Sequence, residues 1–87
     1  MFVYLLSVYE EHGSYAVVAT LDNSKLLEMF DTYIKAWEGY PKASLAKMKE
    51  KLIALIEKHK KTGIVFTEGK NLSKGWGGLQ LHIIKLQ

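Results

Sequence analysis

The sequence predicts an α+β fold in the order β-β-α-α-β-β: an antiparallel four-stranded sheet with two helices packed on one face. Three observations predict it. Apolar residues alternate with period two across Phe2–Tyr9 and Tyr15–Leu21, on either side of a short polar turn. Between Asp22 and Lys61 the apolar period changes to three and four, which is helical spacing. Beyond Gly63, β-forming residues return at Ile64–Thr67 and at Leu79–Leu86.

The first strand places Phe2, Tyr4, Leu6 and Val8 on one face and Val3, Leu5, Ser7 and Tyr9 on the other. Both faces are largely apolar, as expected of a central strand covered on both sides. Glu10–Glu11–His12–Gly13–Ser14 is a polar turn, so the second strand returns as a hairpin. Asp22 is a predicted N-cap, with Leu21 and Leu26 placed to form a hydrophobic staple. The helix it opens is predicted to run to about Glu38, with Leu26, Phe30, Tyr33 and Trp37 as its buried stripe and Gly39 as its stop. Tyr40–Pro41 is the break.

Ser44–Lys61 is predicted to be the second helix, capped by Ser44. Leu45, Met48, Leu52, Leu55, Ile56 and His59 share its core flank, while Lys47, Lys51, Lys58 and Lys61 are expected on the opposite flank, with Ala54 between them. Glu57 and Lys61 are spaced for an i,i+4 pair, and Gly63 suits the left-handed conformation that ends a helix. In the last strand Leu79, Leu81 and Ile83 share one parity and Ile84 and Leu86 the other. A bulge near Ile83, or burial on both faces, accounts for that shift. The two helices cover one sheet face, and the opposite face needs another partner; self-association as a homodimer or higher homo-oligomer is the expected one.

At 87 residues the chain reads as one domain, residues 1–87. With 48% apolar and 24% charged residues it has the composition of a folded chain rather than a disordered one. It has no cysteine, which excludes disulfides and thiolate metal sites. No apolar run approaches the roughly 18 residues of a membrane span. The opening lacks the basic region and cleavage site of a signal peptide, so the expected location is cytoplasmic, with no membrane contact. Residues 1–41 hold two lysines against six acids, net −4; residues 42–87 hold ten lysines against three acids, net +7. All twelve basic residues are lysine. Arginine is the side chain that reads guanine edges, so sequence-specific DNA recognition is not expected. Non-specific phosphate attraction through lysine stays open.

The opening VYLLSVYEEHGSYAVVATLDNSKLLEMF resembles short proteins encoded by bacteriophages and prophages. These begin with a strand, a glycine-bearing turn, a second strand ending in V-A-T-like residues, and a helix starting at Asp or Asn. The resemblance covers about residues 3–30 and rests on fold-determining positions. It implies a phage-type accessory protein, a class that includes inhibitors of bacterial defence systems, acting in the host bacterial cytoplasm. It transfers no catalytic residue.

The densest candidate for contact is Gly69–Gly78, which holds four glycines, two lysines and Trp76 between two predicted strands. Lys70, Asn71, Ser73, Lys74 and Trp76 there, with Lys47, Lys51 and Lys58 on the helix, are the candidate ligand or partner contacts. Glycine amides and lysines suit phosphates, and an indole stacks on a base; equally, a glycine-flanked tryptophan anchors protein interfaces or packs on the core. The segment lacks the Gly-Lys-Ser/Thr spacing and following helix of a P-loop. His59 falls in the core stripe and reads as a satisfied core histidine; His12 reads as a solvated turn residue; His82 shares its parity with Gln80 and Ile84 and is placed to line a surface. No metal-ligand spacing appears, no cofactor is called for, and the serines have caps or turns as simpler roles. The expected function is therefore non-enzymatic: binding and blocking a host protein. The alternatives are an oligomeric sponge for a phosphate-bearing signalling nucleotide and non-specific nucleic-acid binding.

Overall fold

The structure, a computed structural model, describes residues 1–10, 13–34, 42–72 and 78–86. Its strands are β1 (Phe2–Glu10), β2 (Gly13–Thr20), β3 (Phe66–Asn71) and β4 (Leu79–Lys85); its helices are α1 (Asn23–Met29), continued by a π-helical turn at Phe30–Ile34, and α2 (Lys42–Thr62). The four strands form one antiparallel sheet in the order β2-β1-β4-β3. The predicted α+β class and element order hold. The most apolar strand, β1, lies in the middle between β2 and β4; its Tyr4, Leu6 and Val8 face is buried under the helices, while Val3 and Leu5 on the other face are only half-buried.

Residues paired across antiparallel strands share a face. Leu6 faces Val18 on β2 and Leu81 on β4, and Tyr4 and Val8 face Ile83 and Leu79. Together with Phe66 these residues form the floor of the core. Leu26 and Phe30 from the first helical segment and Leu45, Met48, Leu52 and Ile56 from α2 close it from above. Leu6, Leu26, Leu52, Leu79, Leu81 and Ile83 are fully buried. Each is worth roughly 1.5–3 kcal/mol by apolar transfer alone.

Local chemistry sets most boundaries. The Asp22 carboxylate accepts from the Ser24 amide at 2.9 Å and from the Ser24 hydroxyl at 2.7 Å, which makes it the N-cap of α1. These bonds, the hydroxyl's first, hold the Asp22 carboxyl below its ordinary range, and the nearby Lys25 charge adds to the effect. The Leu21 half of the staple is not made: Leu21 is 59% exposed while Leu26 is buried. At the other end of the helical pair, Gly63 takes φ +72° and donates to the His59 carbonyl at 2.8 Å, ending α2.

Four further expectations are corrected. The first helix does not stay α-helical: the Phe30 amide is shared between the Leu26 and Leu27 carbonyls, and a π-helical turn follows. Its Tyr33 and Trp37 side chains, Gly39 and the Tyr40–Pro41 break lie outside the described residues. Helix α2 begins by Lys42, so Ser44 sits within its first turn and is not its cap. Glu57 meets Lys60 at 3.8 Å, three residues on, instead of Lys61. Finally, β3 starts at Phe66 rather than Ile64. The parity shift of β4 goes with burial on both sides, Ile83 being buried and Ile84 half-buried. Register irregularities fall between Leu6 and Ser7 in the β1–β2 pair and between Phe66 and Lys70 in the β3–β4 pair. Ile64 and Val65 remain exposed because Phe66 alone of this run enters the core.

Candidate functional site

The helices leave one face of the sheet uncovered by any described element. Its rows follow from the register: Val3 beside Ile84, then Ala19, Leu5 and His82 side by side, then Ser7 beside Gln80 and Asn71. Val3, Leu5 and Ile84 are half-buried. None of these eight side chains carries a formal charge with His82 neutral, unlike the lysine-studded outer flank of α2.

A hydrogen-bonded cluster occupies the middle of this face. Ser7 Oγ and His82 Nε2 are 2.9 Å apart, and His82 Nδ1 lies 3.2 Å from the Thr67 carbonyl. A carbonyl only accepts, so Nδ1 donates to it; in the neutral ring Nε2 then accepts from the Ser7 hydroxyl. Next to it, Gln80 Nε2 donates to Asn71 Oδ1 at 2.8 Å.

The β3 irregularity makes this cluster possible. Phe66 pairs with Ile83 and Lys70 with Leu81, so three residues of β3 stand opposite His82 alone. The extra length turns the Thr67 carbonyl toward the imidazole. Gly69, at φ +92°, passes over the ring; a Cβ there would lie 2.7 Å from His82 Cε1 and 3.2 Å from Gln80 Oε1. A bulge carrying lysine and glutamate on an edge strand also discourages pairing with other chains.

A serine hydroxyl on a histidine nitrogen has the outline of a nucleophile–base pair. Its surroundings differ from those of a nucleophile. Ser7 is only 5% exposed and sits in the central strand, paired with Gln80 on β4 and Ala16 on β2, which leaves its hydroxyl little access to a substrate. The pair acts as a clasp joining β1, β4 and the β3 bulge. Sequence reasoning did not connect Ser7 to His82, which lie 75 residues apart; only their shared strand parity hinted at a common face.

The predicted contact residues separate into groups. Lys70 and Asn71 belong to β3, not to a loop, and as successive strand residues they leave it on opposite faces. Lys70, paired with Leu81, lies on the helix side with its ammonium 5.9 Å from the Phe66 ring. Asn71 joins the uncovered face. Ser73, Lys74 and Trp76 lie outside the described residues. Lys47, Lys51 and Lys58 stand exposed on α2. A shallow groove of about 380 Å³ runs along Val65–Lys70 beside the bulge.

His59 is a core histidine, as expected. It is buried, donates from Nδ1 to the Ile64 carbonyl at 2.8 Å, and meets the Tyr4 hydroxyl with Nε2. Among the described residues no His, Asp and Glu side chains gather as a metal-ligand group, and no helix is long and apolar enough to cross a membrane. No protein-family model, curated protein or solved structure matches the chain.

Proposed function

We propose that the chain is a small non-enzymatic interaction protein of the phage-accessory type. A second copy covers the open sheet face, and the homodimer binds and blocks a host protein. The observation that carries this reading is the half-apolar face opposite the helices, whose eight described side chains carry no formal charge with His82 neutral and whose Ser7–His82 and Gln80–Asn71 pairs are hydrogen-bonded. Covering such groups costs less than covering unpaired ones, because the Ser7–His82 and Gln80–Asn71 bonds are already made before water leaves. An isologous contact sets like against like, so a neutral face avoids the repulsion that a charged one meets. A chain of this size also gains from added burial, since alone it buries only about 60–65% of its unfolded surface. The phage resemblance of residues 3–30 supplies the blocking role.

Native mass spectrometry of the protein purified from bacterial cells tests the reading. A dimer is expected for the parent chain and a monomer for the Val3→Lys/Ile84→Lys variant, with unchanged circular dichroism. Tagged dimer should retain one stoichiometric protein from host lysate, and the monomeric variant should not. A parent monomer would refute the dimer. A few hundred daltons of extra mass per site would favour the nucleotide sponge instead.

A further inference from the structure

Helix α2 carries a second surface, on the side away from the sheet. Lys47, Lys51, Lys58 and Lys61 are all exposed. At 3.6 residues per turn they fall within an arc of about 80°, and at 1.5 Å per residue they extend over about 21 Å. The arc contains no acid; Glu50 and Glu57 both stand along one border of it. Its centre is Ala54, exposed and small, so nothing projects between the ammonium groups.

The pairing of the helix lysines sharpens this pattern. Lys49 is held by Asp31 at 2.7 Å and Lys60 by Glu57 at 3.8 Å. Both lie off the arc. The four lysines on the arc have no ion pair among the described residues. Among the described residues the ion-paired lysines and the unpaired ones thus lie on different faces of the helix.

From this geometry we infer that the lysine stripe of α2 binds the phosphodiester backbone of nucleic acid, without reading its bases. The surface is convex and linear, whereas a small nucleotide is held in a concavity. It is built from lysine alone. Lysine is depleted at protein interfaces, where arginine supplies the bidentate grip on carboxylates. Mobile point charges spaced along a rod suit a polymer of phosphates, whose attraction is sequence-independent. This inference is independent of the dimer, because the open sheet face and the stripe lie on opposite sides of the core.

The test is fluorescence anisotropy of the full chain with a labelled duplex of about 20 base pairs, titrated across about 20–200 mM salt. Binding is expected to weaken with a log–log salt slope of roughly −3 to −4, the value for about four phosphate contacts. Lys51→Gln/Lys58→Gln should reduce that slope by roughly two, at unchanged circular dichroism. Lys49→Gln/Lys60→Gln, which alters the paired lysines, should leave it within about half a unit of the parent. Absence of binding at the lowest salt would overturn the inference, as would a slope untouched by the stripe variant. Polyglutamate binding as tight as duplex binding would point to an acidic protein partner and overturn it too.

Discussion

The Tyr4 hydroxyl lies 3.1 Å from His59 Nε2, joining the central strand to the last turn of α2 inside the core. The Ile64 carbonyl fixes the donor on Nδ1, so the neutral ring accepts the tyrosine proton at Nε2; Asn23 donates to the same hydroxyl at 3.4 Å. Phe2 and Tyr4 both meet the imidazole edge-to-face, with centroids at 4.5 and 5.5 Å. One residue thereby ties the chain's opening strand, its long helix and the segment leading into β3.

Removing the hydroxyl should be felt as an orphaned acceptor. Tyr4→Phe keeps the ring and its packing but leaves His59 Nε2 buried without a donor. A loss of about 1–3 kcal/mol is expected. Urea denaturation measures it, and a double-mutant cycle with His59→Phe should show coupling between the two sites. Additive losses would mean that the bond contributes nothing.

Core and surface positions one residue apart on α2 should respond very differently. Leu52 is fully buried and Ile53 is 40% exposed. Leu52→Ala should cost about 2–5 kcal/mol through lost transfer energy and a cavity. Ile53→Ala should stay within about 0.5 kcal/mol of the parent. Equal losses in thermal or urea unfolding would contradict the placement of the helix.

Gly69→Ala tests the clasp on the open face. Its Cβ would collide with the His82 ring, and the φ of +92° strains any L side chain. A loss of about 1–3 kcal/mol is expected from backbone strain. A shift of the His82 ring resonances by NMR should accompany it as the Ser7 contact is disturbed. Gly63→Ala shares the positive φ but meets no neighbour within 4 Å, so it should lower stability without moving His82.

The N-cap of α1 should titrate. Because the folded-state pKa of Asp22 is depressed, its contribution is fully present above the unfolded value of about 3.9 and is lost as pH falls through the lower folded value. An NMR titration of its carboxyl should give a midpoint below that of an unstructured aspartate. Asp22→Ala should lower stability at neutral pH, since the Ser24 amide loses its acceptor. By pH 2 that difference should have narrowed, and a constant difference would argue against the cap.

Much of this molecule is written locally. The period-two run of Phe2–Val8, the Asp22 cap, the Gly63 stop and the Leu45–His59 stripe each depend on neighbours within a few residues, so order, class and the core flank of α2 were legible in advance. The lysine arc was equally visible, because helical spacing alone brings Lys47, Lys51, Lys58 and Lys61 together.

The site on the sheet was not legible, for a different reason. Ser7 and His82 meet only because β4 inserts between β1 and β3, and no local preference encodes which strand pairs with which. The start of β3 was misplaced because Ile64 and Val65 have high strand propensity, yet the room under α2 admits Phe66 and leaves them in water. Spacing and capping thus define the elements of this chain; long-range packing decides which faces are closed, which polar groups meet, and which surfaces stay available for a partner.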